Sequence, residues 1–170
     1  MPIQFGPLDD KDDRAAFSCG EPALDDWFRN RAGQDRRRRV AQIFVARDDQ
    51  LGIVGFYSLS AFSIVASDLP TEITRKLPRY DTIPAVLIGR FAGDVRVRGQ
   101  GIGELLMADA IDRIISTSDQ LGIYAIFVDA KNADLAAYYQ SFGFQALPSR
   151  PLRLFLPLAT AHMAQVDASR

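Results

Sequence analysis

Val95-Arg-Val-Arg-Gly-Gln-Gly-Ile-Gly-Glu-Leu-Leu-Met107 decides how this chain is read. Its glycines run into a segment whose apolar residues Ile102, Leu105, Leu106, Ala110, Ile111, Ile114 and Ile115 recur at three- and four-residue steps, which predicts a loop opening a helix. The run Ala85-Val-Leu-Ile-Gly-Arg-Phe91 just before it predicts a strand. Glycine lets the backbone curl closely around an anion. The free N–H groups of a first helical turn then point at that anion, and the helix dipole favours its charge. A pyrophosphate suits such a loop. Spacing excludes two of its usual forms: no Lys-Ser or Lys-Thr follows, as an NTPase phosphate loop requires, and the glycines do not keep the Gly-x-Gly-x-x-Gly order of a dinucleotide fingerprint.

A second segment lies further on. After the strand-like run Ile123-Tyr-Ala-Ile-Phe-Val-Asp129 comes Asn132-Ala-Asp-Leu-Ala-Ala-Tyr-Tyr139-Gln-Ser-Phe-Gly143-Phe144. It reads as an Asn cap, a short helix, a glycine stop and a restarted strand.

Taken in order, Ile3-Gln-Phe5 is a candidate first strand, and the acidic Asp9-Asp-Lys-Asp-Asp13 precedes a helix. Pro22 suits an early helical position, with Leu24, Trp27 and Phe28 on one face, so Trp27 reads as core. Arg29, Arg31, Arg36, Arg37, Arg38 and Arg39 follow within eleven residues. A solvated helix end accounts for most such runs, but six arginines exceed that need and suit a phosphate backbone. Asp48-Asp-Gln marks a turn between strands 41–47 and 51–65, a hairpin. Pro70 to Pro78 is a candidate short helix, Leu152-Arg-Leu-Phe-Leu156 the last strand, and the tail from Ala164 is expected to fray. The element order predicts a mixed α+β fold: antiparallel strands first, then strand, helix, strand, helix and strand.

With 170 residues, 48% of them hydrophobic, the chain is long enough for one domain spanning 1–170. A net charge of −1 gives no global attraction to nucleic acid or membrane, so a polyanion must be met by local patches. No apolar run is long enough to span a bilayer and no secretory signal opens the chain, so the expected location is the cytoplasm. Cys19 and His162 make up no metal-ligand set, and no metal is expected.

Arg98-x-x-Gly101-x-Gly103 resembles the coenzyme A loop of the GNAT acyltransferases, Arg/Gln-x-x-Gly-x-Gly/Ala, and Asn132 to Phe144 resembles their second signature. The match covers about residues 85–145. The resemblance implies a single GNAT-like domain whose mixed, mostly antiparallel central sheet is flanked by helices, with an acyl-CoA cleft between splayed central strands. It implies that Phe91, Gly93, Arg98, Gly99, Gln100, Gly101, Ile102, Gly103 and Asn132 hold acetyl-CoA, and that Tyr139, four residues before Gly143, protonates the leaving thiolate. Gly89-Arg-Phe-Ala-Gly-Asp94, the early Phe17-x-Cys-Gly-x-x-x-Leu-Asp-x-Trp27 and the arginine run resemble more narrowly the GNAT toxins of bacterial toxin-antitoxin modules. Those enzymes acetylate the α-amine of aminoacyl-tRNA and stop translation, usually as homodimers neutralised by a ribbon-helix-helix antitoxin. On that resemblance Arg36, Arg37, Arg38, Arg39 and Arg90 would contact tRNA. Where family members commonly carry Leu-Ala-Val this chain has Phe91-Ala-Gly93, and an early His is replaced near Asp13 and Arg14.

The chemistry requires an uncharged amine, a stabilised oxyanion and a proton for sulfur. Backbone N–H groups near Phe91 to Gly93 and the Tyr139 hydroxyl suit the last two. No carboxylate stands out as base; Asp94 lies near, with closing the strand turn as an equal role. An α-amine titrates about two units below lysine, near pH 7.7–8.0, so a strong base is dispensable. Two alternatives stay open: a GNAT acetylating a small-molecule or protein amine, and a non-catalytic acyl-CoA-binding or RNA-binding module. Arg90, Arg96 and Arg98 beside the loop disfavour a polycationic substrate.

Overall fold

In the computed structural model, which describes residues 2–168, the strands form one seven-stranded sheet in the order β1-β2-β3-β4-β5-β7-β6. They are β1 (Ile3–Pro7), β2 (Gln42–Asp48), β3 (Gly52–Val65), β4 (Thr82–Gly93), β5 (Ala125–Asp129), β6 (Gln145–Leu147) and β7 (Arg150–Pro157). The helices are α1 (Pro22–Asn30), α2 (Ala32–Arg37), α3 (Thr71–Thr74), α4 (Ile102–Thr117), α5 (Ala133–Gln140) and α6 (Leu158–Ala168). The α+β class and element order are as expected. β4 and β5 pair in parallel, whereas β1–β2, β2–β3, β5–β7 and β6–β7 are antiparallel.

The residues group into two compact units, Met1–Ser60 with Gly89–Asp112, and Ala61–Ile88 with Arg113–Arg170. In the first, the β2–β3 hairpin turns where the sequence places it. Asp48 Oδ1 accepts the amides of Gln50 and Leu51 at 2.9 Å each, and Gly52 takes φ +74°. Ile43 and Val45 alternate onto one side of β2, and a register shift between Ala46 and Arg47 brings both Ile53 and Phe56 of β3 to the same core, where they meet Phe17, Trp27 and Phe28. The rings of Phe28 and Phe56 stack at 4.1 Å and 3°, while Phe17 meets both edge-on. Trp27 is 4% exposed, a core residue as its helical spacing requires.

The second unit is built on β5, whose run Ala125–Val128 is wholly buried. Its core joins Phe127 and Phe155 to Ile64, Leu69, Ile83 and Leu147. β4 registers with β5 only over Ala85–Ile88 opposite Ala125–Val128. β7 returns between β5 and β6, so the last strand in sequence is not the edge strand.

Several boundaries differ from expectation. α3 is only one turn, Thr71–Thr74, and the residues after it close in tighter turns before Pro78, with Ile73 and Leu77 packed on the second core. The tail does not fray at Ala164: α6 continues to Ala168, as its alanine-rich sequence favours helix and Leu158 and Ala161 anchor its first turns.

Candidate active site

The candidate pyrophosphate loop is set by two left-handed glycines. Gly99 and Gly101 take φ +80° and +79°, values open to glycine at no steric cost, and no atom lies within 4 Å of where a Gly99 side chain would start. Gly101 O accepts the first helical bond, from Leu105 N at 3.2 Å. The amides of Ile102, Gly103 and Glu104 therefore have no acceptor within α4, at its positive end. Arg98, Gly99, Gln100 and Gly101 are exposed, so the anion-binding face is open.

The strand feeding this loop closes tightly on the helix. A methyl at Gly93 would stand 2.6 Å from Ile102 Cγ2, and one at Gly55 would stand 2.9 Å from Leu106 Cδ1. Glycine at 93 is thus demanded by the Ile102 side chain that occupies the space. In this chain the Val of the Leu-Ala-Val pattern would meet the Ile102 side chain at that point. α4 is pinned to the sheet further along by Tyr57 Oη, which donates to Asp109 Oδ2 at 2.5 Å.

Asp94 is fully buried and fully engaged. Its Oδ1 accepts from Arg96 N at 2.8 Å and Nε at 2.9 Å, and its Oδ2 accepts from Arg96 Nη2 at 2.9 Å and Ser18 N at 3.2 Å. Burial alone would raise its pKa, but these donors outweigh it and hold the carboxyl below its ordinary range. Closing the strand turn is its role, and no lone pair is left poised to take an amine proton.

The early Phe17-x-Cys-Gly motif gains a function that its residues alone do not announce. Asp25, 5% exposed, accepts from Cys19 N at 2.8 Å and Ser18 Oγ at 3.1 Å, and Ser18 O in turn accepts from Val95 N at 2.9 Å. Gly20, at φ +90°, leaves room for Arg98 Nη2, which would stand 3.4 Å from a methyl there. The segment buttresses the loop from Val95 to Arg98. The Cys19 thiol is pushed up to about 11 by burial and by Asp25, so it is protonated at neutral pH and unsuited to nucleophilic attack.

Tyr139 belongs to the second unit. Asn132 starts its helix, accepting Leu135 N on Oδ1 at 2.9 Å, and Gly143 at φ +99° ends it, as the sequence pattern predicts. Tyr139 is 7% exposed, with Tyr138 and Phe144 rings at 5.8 and 6.2 Å. Burial, then Tyr138 and Asp129, push its hydroxyl up to about 12, so it carries its proton throughout the neutral range. Asp129 is held by Arg153, which donates from Nε at 2.7 Å and Nη2 at 2.9 Å.

The arginine run divides. Arg36 Nη2 meets Asp10 Oδ1 at 2.6 Å and Arg37 Nη1 meets the same oxygen at 3.5 Å, so the acidic stretch neutralises half of Arg36 to Arg39. Arg38 and Arg39 are exposed and make no ion pair with any described residue. Arg39 has φ 62° and is the only described non-glycine residue at positive φ. Its N–H bonds Arg36 O at 3.1 Å and Val40 N bonds Asp35 O at 3.1 Å, a Schellman cap in which an arginine holds the place usual for glycine. Arg90, on β4 one residue before Phe91, lies over Trp27 with Cζ 4.1 Å from the ring centroid. Phe91 and Gly93 are half-buried. Among the described residues, no group of three or more His, Cys, Asp and Glu could hold a metal ion, and no helix is long and apolar enough to cross a membrane.

A glycine loop feeding a helix N-terminus, with the Asn-to-Gly helix later in the chain, suits a cosubstrate that carries phosphate. Residues 39–146 match the acetyltransferase (GNAT) domain model, and the chain belongs to that family. It is an N-acetyltransferase with acetyl-CoA as donor. The chain is 38% identical over 163 residues to a probable toxin TacT of Sinorhizobium fredii, covering 91% of this chain and 90% of that protein. It is 37% identical over 155 residues to a tRNA-acetylating toxin of Mycobacterium tuberculosis, covering 91% of each. Among solved structures, AtaT complexed with acetyl-methionyl-tRNAfMet superposes with a TM-score of 0.88 at 28% identity, over 96% of this chain and 99% of that one. A mutant AtaT toxin bound to the C-terminus of the antitoxin AtaR and acetyl-CoA gives 0.79 at 25% identity, over 95% and 97%.

Proposed function

We propose that this enzyme is a toxin that transfers the acetyl group of acetyl-CoA to the α-amine of an aminoacyl-tRNA and thereby blocks translation. The observation that carries this reading is the 37% identity, over 91% of both chains, to a tRNA-acetylating toxin. Two features of this chain support it. Arg38, Arg39 and Arg90 offer exposed cations to a polyanion, and Asp94, the carboxylate that directly follows the coenzyme strand, is spent on Arg96 and Ser18. A site without a base suits an α-amine, a good part of which is already neutral near pH 7.7–8.0.

Phe91, Gly93, the loop Arg98 to Gly103 and Asn132 are assigned to the coenzyme, with the amides of Ile102 and Gly103 facing its pyrophosphate. The neutral amine attacks the thioester carbon, and the resulting oxyanion is held by backbone N–H near Phe91 to Gly93. Collapse breaks the C–S bond, Tyr139 donates its proton to the departing sulfur, and the proton shed by the amine nitrogen is relayed by solvent to the Tyr139 phenolate. Arg36 to Arg39 are assigned to the tRNA backbone, with Arg38 and Arg39 as the open members. A homodimer in the cytoplasm, silenced by a ribbon-helix-helix antitoxin, completes the reading.

The test is incubation with acetyl-CoA and charged tRNA, followed by recovery of the amino acid. Acetylated α-amine is the expected product. Acetylation confined to free lysine or polyamine amines, with charged tRNA untouched, would overturn the assignment.

A further inference from the structure

We infer that Trp27 and Arg90 form a stacking platform for the unpaired 3′-terminal base of the tRNA acceptor end, a subsite resting on the aminoacyl-tRNA reading above. The guanidinium of Arg90 is 4.1 Å from the Trp27 ring centroid, and among the described residues it makes no hydrogen bond or ion pair. Only its backbone N–H is engaged, donating to Ser58 Oγ at 2.9 Å. The centre of the cation is therefore seated over the indole at contact distance, while Arg90 as a residue stays exposed. A guanidinium held in this way presents its second face to a base and its N–H edge to phosphate, which an ammonium does not. Burial and the like charge of Arg31 lower the pKa of Arg90 while Asp35 opposes the shift, so the cation has a counter-charge but no bonded one.

The platform is rigid. Trp27 Nε1 donates to Asp35 Oδ2 at 3.0 Å, which fixes the indole plane against α2. Behind it the ring lies 5.9 Å from Phe56, which is itself stacked on Phe28. Asp35 begins the turn that carries Arg36 to Arg39, so one residue ties the base platform to the candidate backbone contacts. Its place along β4 matters too. Arg90 precedes Phe91 to Gly93, and a strand advances roughly 3.3 Å per residue. A base on Arg90 thus lies within one nucleotide of the reacting carbonyl, where the ribose bearing the aminoacyl ester has to be. Trp27 in this account is a positioning residue acting through Arg90.

Trp27 is the sole tryptophan, so its emission reports on the platform directly. The probes are two acceptor-stem RNA hairpins with single-stranded 3′ ends, identical except that one has an abasic terminal nucleotide. With the native protein the intact hairpin is expected to change Trp27 emission and to bind about tenfold more tightly than the abasic one, the size of one stacked base. Arg90→Lys keeps the charge and loses the plane; it should bind both hairpins alike. Trp27→Phe should keep part of the discrimination and Trp27→Leu lose it, each with unchanged acetyl-CoA affinity. If Arg90→Lys discriminates as well as the native protein, stacking is wrong. Stacking is equally wrong if Arg90→Lys changes only the salt dependence, with no base dependence in the native protein. Acetylation of intact aminoacyl-tRNA is measured alongside. Acetylation without base discrimination leaves the substrate reading standing and overturns the platform, whereas neither acetylation nor hairpin binding overturns both.

Discussion

At the scale of single residues, the proposed chemistry rests on a phenol that keeps its proton and an amine that has already lost one. Tyr139→Phe is expected to leave acetyl-CoA affinity within a few-fold while lowering single-turnover acetylation by about a hundredfold or more, the usual size of a general-acid contribution. Unchanged turnover would remove Tyr139 from the mechanism. The pH dependence follows from the same two groups. Burial raises the Tyr139 pKa to about 12, so its acid form persists at every pH below that, while the substrate amine gains neutral form as pH rises through about 7.7–8.0. The rate, corrected for ester hydrolysis, should climb across that window and stay level up to about pH 10. A fall above pH 8.5 would point to a different acid. Gly93 makes an independent case. Gly93→Val should cost about 1–3 kcal/mol of stability by driving a branched side chain into Ile102, and Ile102→Ala in the same chain should recover part of it; denaturant midpoints of the two single variants and the pair decide this.

At the scale of elements, the loop and the Asn132-to-Gly143 helix were legible because their instructions are local. Left-handed glycines, an Asn cap and a glycine stop each act within a few residues of their own position. What escaped the sequence was non-local pairing. Nothing near Asp10 announces that it neutralises Arg36 and Arg37, nothing near Trp27 announces Arg90, and the insertion of β7 between β5 and β6 leaves no mark on either strand. The Phe17-x-Cys-Gly motif was visible, but its work, bracing the loop from Val95 to Arg98 through Asp25 and Ser18, depends on a contact with Val95. That division refines the expected behaviour of the arginines. Replacing Arg38 and Arg39 with Gln should weaken all tRNAs alike and lower the logarithmic salt slope by roughly 0.7 to 0.9 per lost phosphate contact, with acetyl-CoA binding unchanged. Replacing Arg36 and Arg37 should change the slope less, since Asp10 already competes for them. Arg39→Gly should raise stability by about 1 kcal/mol, through relief of its left-handed backbone, while weakening tRNA. An unchanged salt slope in the Arg38 and Arg39 variant would return the run to a solvated helix end.

At the scale of the whole molecule, the chain crosses between its two compact units after Ser60, Ile88 and Asp112, and each crossing falls inside β3, β4 or α4. Each crossing thus lies within a regular element to which both units contribute residues. Thermal unfolding followed by Trp27 emission, which reports the first unit, should therefore coincide with unfolding followed by far-ultraviolet dichroism. Separate midpoints would show that the units melt independently. The contact between Gly93 and Ile102 also has a consequence for sequence change over generations. Neither position can vary alone, because the volume gained at one must be surrendered at the other. A selection for restored activity begun from Gly93→Val should therefore recover alanine or another small residue at 102 before it finds a reversion-free solution elsewhere. Substitutions at these two sites would then be inherited as a pair.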